Sequence, residues 1–83
     1  MGKHEDTLIA IFAEPTRGTI SWKSIESMLR HLGAEITEGR GSRVRVHLDS
    51  VRAVFHRPHP EKEAGKGTVE SVRRFLTNAG VKR

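Results

Sequence analysis

Apolar residues along the chain fall into patterned blocks separated by Gly, Pro and polar runs. In DTLIAIFAEP, residues 6–15, Leu8, Ile9 and Phe12 fall on one helical stripe, with Asp6 as a cap and Pro15 as a stop, which predicts a helix over 5–13. PTRGT then reads as a loop. Ser21 caps a second predicted helix, whose apolar positions Ile25, Met28, Leu29 and Leu32 share one face and whose end is marked by Gly33. Trp22, beside the cap, is expected to pack rather than to stack on a base.

The period then changes to that of a strand. AEITEG suits a short strand and GRG a turn. Val44, Val46 and Leu48 alternate with Arg43, Arg45 and His47. Past Asp49-Ser50, Val51, Ala53 and Phe55 alternate with Arg52, Val54 and His56. If the two strands pair around a two- or four-residue loop, opposed positions sum to 99. The core pairs are then Val44–Phe55, Val46–Ala53 and Leu48–Val51, and the open-face pairs Arg43–His56, Arg45–Val54 and His47–Arg52. RPHPEKEAGKG is expected to be an ordered loop. Thr68 is the expected cap of a last helix, with Glu70 near its positive end, Val69, Val72, Leu76 and Ala79 inward, Phe75 beside them, and Gly80 as terminator. The order helix, helix, strands, helix predicts a small α+β fold: helices on one face of an antiparallel sheet, all within a single domain, residues 1–83. A chain of 83 residues buries only about 60–65% of its unfolded surface, so modest stability is expected.

Composition narrows the function classes. The absence of cysteine excludes a disulfide framework and any thiolate metal site. No run approaches the roughly 20 apolar residues of a membrane span, and MGKHEDTLIAIF lacks the features of a signal peptide, so a cytoplasmic protein with no membrane partner is expected. Charge is divided unevenly. Residues 1–39 hold four Lys/Arg against six acids, net −2, whereas residues 40–83 hold eleven against four, net +7. Ten of the fifteen basic residues are arginine, whose planar fork suits phosphate. An acidic partner for the second half follows, nucleic acid first, against the plainer alternative of a solvated basic surface.

Arg43, Arg45 and Arg52 on one sheet face would meet an anion with charges fixed on a rigid backbone. With no tyrosine and with Phe12, Phe55 and Phe75 assigned inward, base-stacking modules are disfavoured, and recognition of backbone or shape is expected. His56-Arg57-Pro58-His59-Pro60 is the most unusual local run: the two prolines restrict His59 at a strand end. Histidine moves protons near neutral pH, and RNA cleavage needs only a base for the 2′-hydroxyl and cations for the charge that develops. Against this stands the alternative that His56 and His59 make only structural hydrogen bonds. His47, His56 and His59 have no carboxylate or cysteine placed with them, so no metal and no cofactor is expected. Gly65-Lys66-Gly67-Thr68 fails as a nucleotide loop but remains a phosphate contact at a helix N-terminus.

Three segments, ISWKSIESMLRHLGAEI, EGRGSRVRV and FHRPHPEKEAGKGTVESVRRFLTNAGV, together resemble the HicA family of bacterial toxins from Thr19 to Val81. The predicted helix over 5–13 is then an addition to the shorter family members. The resemblance implies a fold similar to a double-stranded-RNA-binding domain, with a three-stranded sheet. It also implies a ribonuclease that cleaves mRNA, silenced by a HicB-type antitoxin; the expectation is a monomer when free and a hetero-oligomer with the antitoxin. The family usually carries a catalytic histidine directly after a Gly-Ser pair; here Gly41-Ser42 is followed by Arg43. In one hypothesis the base has moved: His56, opposite Arg43, and His59 are catalytic with Arg43, while Ser42, Arg45, His47, Arg52, Arg57, Lys62, Lys66 and Thr68 bind RNA. In the other, the protein binds RNA or an antitoxin without cleaving. A DNA-binding or purely structural domain is disfavoured, because no helix carries a groove-reading set of Arg, Asn or Gln.

Overall fold

The structure is a computed structural model that describes residues 2–59 and 61–81. Its elements are α1 (Lys3–Phe12), α2 (Trp22–His31), β1 (Glu35–Glu38), β2 (Arg43–Leu48), β3 (Val51–His56) and α3 (Lys66–Asn78). The strands form one antiparallel sheet in the order β1-β2-β3, and the three helices complete the expected α+β architecture. The strand pairing is the one expected: Arg43 opposes His56, Val44 Phe55, Arg45 Val54, Val46 Ala53, His47 Arg52 and Leu48 Val51, around the two-residue turn Asp49-Ser50. β1 extends the register on the other side, with Glu35 opposite His47 and Thr37 opposite Arg45.

Alternation sorts the sheet into two faces. Val44, Val46, Leu48 and Phe55 are buried with Trp22, Ile25, Met28 and Leu29 of α2 and Val72, Phe75 and Leu76 of α3. The ring of Phe55 sits 5.9 Å from Trp22 and 5.9 Å from Phe75, the latter edge-on, so one aromatic joins sheet and both helices. Ser21 caps α2 as expected, its hydroxyl accepting from the Ser24 amide at 3.4 Å.

Other expectations shift. α1 starts at Lys3 after Gly2 and has no side-chain cap, so Asp6 lies inside its first turn rather than before it. Its inward residues are Thr7, Leu8 and Ile11, with Phe12 half-buried, while Ile9 is 43% exposed. The run Leu-Ile-Ala-Ile-Phe allows more than one apolar stripe, and packing against α2 and α3 selects the one containing Ile11. α3 starts two residues before Thr68: Gly65, at φ +87, turns the chain into it, a conformation that favours glycine, and no hydroxyl caps it. The segment ahead of α3 is partly regular, since the Trp22 amide donates to the Lys62 carbonyl and the Ala64 amide to the Ile20 carbonyl around a bridge between Ser21 and Glu63. Pro58 is half-buried, while Pro60, the second proline expected to restrain His59, lies outside the described residues.

Two arginines fasten the helical layer. Arg57, just past β3, donates to both carboxylate oxygens of Glu26 in α2 (3.1 and 2.9 Å) and to both of Glu38 in β1 (2.8 and 2.7 Å). Arg73 of α3 donates to the Ile11 and Ala13 carbonyls (2.9 and 3.1 Å) at the end of α1, and to Glu14 and Thr16 (both 3.2 Å). A cation on the last carbonyls of a helix complements its negative end.

Candidate nucleic-acid interface

The sheet face turned away from the helices is a grid of side chains fixed by the strand register. One row across it reads Glu35, His47, Arg52; the next Thr37, Arg45, Val54; the third only Arg43 and His56. The third row has no β1 side chain, because Gly39 stands there, its amide donating to the Arg43 carbonyl at 2.8 Å. A Cβ at Gly39 would come 3.1 Å from that of Arg43, so the close approach favours glycine. All these side chains are exposed except His47, which is half-buried. Neighbouring rows lie two residues apart along a strand, about 7 Å.

No hydrogen bond or ion pair within the described residues engages the side chain of Arg43, Arg45 or Arg52, so their forks face solvent. His47 Nδ1 lies 3.9 Å from Glu35 Oε1. That carboxylate corrects one expectation: His47 does have an acid beside it, supplied by β1. Among the described residues no group of three or more His, Cys, Asp or Glu is placed to hold a metal ion. The first two rows line a shallow groove of about 350 Å³, with Glu35, Thr37, Arg45, His47, Arg52 and Val54 around it.

The face thus unites Arg43, Arg45, His47, Arg52 and His56. Other residues that the sequence suggested stand elsewhere. Arg57 turns back to α2, where its carboxylate bonds raise its pKa above the ordinary value. Those same bonds lower the pKa of Glu26, helped by Trp22, whose indole N–H donates at 2.7 Å, against the opposing cost of burial. His59 is exposed beyond the end of β3. Ser42 precedes β2, its carbonyl accepting from the Arg57 amide at 2.8 Å. Lys62, Lys66 and Thr68 lie before and within the first turn of α3, away from the grid's strands.

The comparisons with known proteins bear on residues 22–81, which match the family described as the HicA toxin of bacterial toxin–antitoxin. The chain belongs to the HicA toxin family. Searches of curated proteins and of solved structures found no match. HicA membership makes this a toxin with an antitoxin partner. The HicA match begins at the first residue of α2, so α1 lies outside it. Among the described residues no helix is long and apolar enough to cross a membrane. Sequence reasoning had singled out neither Glu35, which completes the first row, nor the pair Glu26 and Glu38, which engages Arg57. The signal was the pairing of β1 with β2, carried by the single apolar residue of EITE.

Proposed function

We propose that this HicA-family toxin acts by cleaving mRNA on the open sheet face, through histidine acid–base chemistry that requires no metal ion. The observation that supports this reading is the pairing of His56 with Arg43 directly across the hairpin, in line with the unengaged Arg45 and Arg52. Neutral His56 takes the proton of a ribose 2′-hydroxyl, and that oxygen attacks the adjacent phosphorus. The bond from phosphorus to the 5′-oxygen breaks, and the departing oxygen takes a proton from His59 in its imidazolium form. A 2′,3′-cyclic phosphate and a 5′-hydroxyl result. Arg43 stabilises the extra negative charge on the phosphoryl oxygens. Arg45, His47 and Arg52 hold the flanking backbone, with Ser42, Lys62, Lys66 and Thr68 as further contacts. Arg57, which the sequence also suggested for RNA, serves instead to join α2, β1 and the end of β3. A HicB-type antitoxin with an acidic surface would silence this face, forming a hetero-oligomer with a toxin that is monomeric when free, in the cytoplasm where mRNA is found.

A second reading, occupancy of RNA or antitoxin without cleavage, is favoured by one feature: no hydrogen bond or ion pair within the described residues orients the His56 imidazole. The two readings part in one experiment, a long RNA incubated in EDTA with the parent and with the His56→Ala/His59→Ala variant. Fragments from the parent alone are expected. Intact RNA that is nonetheless bound by the parent would establish the second reading, and equal cleavage by both would remove His56 and His59 from the chemistry.

A further inference from the structure

We propose that the groove over the first two rows is a subsite for one unpaired guanine base of the RNA, selected by Glu35. The proposal rests on the reading that the open face binds RNA, but not on whether the RNA is cut. Three features of the groove point to a nucleobase rather than to phosphate alone.

The first is its floor. Val54 is 54% exposed between Arg45 across the hairpin and Arg52 two residues earlier on its own strand, so an apolar patch is framed by two guanidinium groups. RNA bases splayed from a single strand stack on arginine planes as well as on aromatic rings. Among the described residues no phenylalanine or tryptophan ring is exposed here, and the Arg–Val–Arg frame, with the His47 ring beside it, provides a face for a flat ring in its place.

The second is the acid. A carboxylate repels a phosphate, so Glu35 at the β1 corner of a cationic face would be an error in a surface built only for backbone. Its side chain is 84% exposed, and its one side-chain partner among the described residues is His47, 3.9 Å from Oε1. A planar carboxylate with two free edges accepts two parallel hydrogen bonds. Among the bases, guanine alone presents two adjacent donors on its Watson–Crick edge, N1–H and the N2 amino group. Adenine and cytosine place a ring-nitrogen acceptor beside their single amino group, and uracil flanks its N3–H with two carbonyl acceptors. Glu35 therefore favours guanine and disfavours the other three.

The third is placement. The Thr37–Arg45–Val54 row adjoins the Arg43–His56 row, about 7 Å away along the strands. A base lying on Val54 with its edge toward Glu35 is then close to a phosphate held by Arg43. The groove's volume of about 350 Å³ is at the small end of ligand sites, suited to a single base rather than to a duplex.

The test uses the full chain and uncleavable 2′-O-methyl pentanucleotides, UUGUU, UUAUU, UUCUU and UUUUU, with inosine in place of guanine as a fifth probe. All carry the same backbone charge, so phosphate affinity cancels in the ratios. Binding is read from the NMR shifts of the Val54 methyls and the His47 ring at one salt concentration. UUGUU should bind about fivefold or more tighter than the adenine, cytosine and uracil probes, the range that a good bidentate contact provides. Inosine, lacking the N2 amino group, should fall between. In Glu35→Gln the advantage of guanine should vanish, whatever happens to overall affinity; Glu35 is an exposed strand residue, so its replacement leaves the core intact. A smaller preference, or one that survives in Glu35→Gln, overturns the proposal. Guanine preference without any cleavage of long RNA would sink the nuclease reading and leave the subsite standing; cleavage without the preference would do the reverse.

Discussion

The arginines on the open face and those behind the sheet have the same chemistry and opposite employment. Arg57 and Arg73 are enclosed by acceptors: four bonds from Arg57 to two carboxylates, and bonds from Arg73 to carbonyls, a carboxylate and a hydroxyl. Arg43, Arg45 and Arg52 have alternation on their side and no acceptor among the described residues. Engaged arginines contribute to folding and are lost to ligands; unengaged ones contribute almost nothing to folding and keep their donors for a partner. The lesson is that a count of basic residues overstates a binding surface until the acids that face them are placed.

The contrast can be broken at its base by removing the core that separates the two sets. Leu29→Ala empties a fully buried site and should lower unfolding free energy by about 3 kcal/mol in urea titration, with RNA binding by the folded fraction unchanged. Next in size, Arg57→Ala should cost about 2 kcal/mol, because Glu38 loses its charged donor and Glu26 keeps only Arg30 and the Trp22 indole, while the salt dependence of RNA binding stays as in the parent. Arg45→Ala should show the mirror image: stability within about 0.5 kcal/mol of the parent, and a salt slope of RNA affinity shallower by about one. If Arg57→Ala weakened RNA binding as Arg45→Ala does, the division drawn here would fail.

The smallest effect sharpens the engaged side. Glu26 titrates below its ordinary range because Arg57 and then Trp22 hydrogen-bond its charged form. A carboxyl whose folded pKa is depressed contributes stability that is fully present above its unfolded pKa, about 4.3, and is lost as pH falls through the folded value. The melting temperature should therefore fall on acidification below about pH 4.3, and Glu26→Gln should flatten that limb while lowering stability at neutral pH.

Much of this was legible in the chain. Strict alternation over 43–48 and 51–56, joined by two turn residues, determines both the pairing and which side chains reach solvent, because a slip by one position would expose Val44, Val46 and Leu48 together. The capped, strongly one-sided α2 was equally plain. Less was visible where local pattern is degenerate. Glu35 and Glu38 are the two ends of a strand of four residues, too short to show a period, so their meetings with His47 and Arg57 depend on tertiary pairing. Arg57 follows His56 immediately and shares its composition, yet the strand has ended and the side chain turns toward α2. Gly-Lys-Gly-Thr offered a capping hydroxyl, but the backbone freedom of Gly65 let the helix begin earlier.

The two-residue turn at Asp49-Ser50 has a consequence for how such a surface changes over time. It makes the open face a pegboard: hole positions belong to the backbone, and each peg can be exchanged without moving its neighbours. An arginine can stand at position 43 with His56, Arg45 and Val54 still at their posts. Chemistry can then be traded for grip, or grip for selectivity, one side chain at a time, on a board whose spacing never alters.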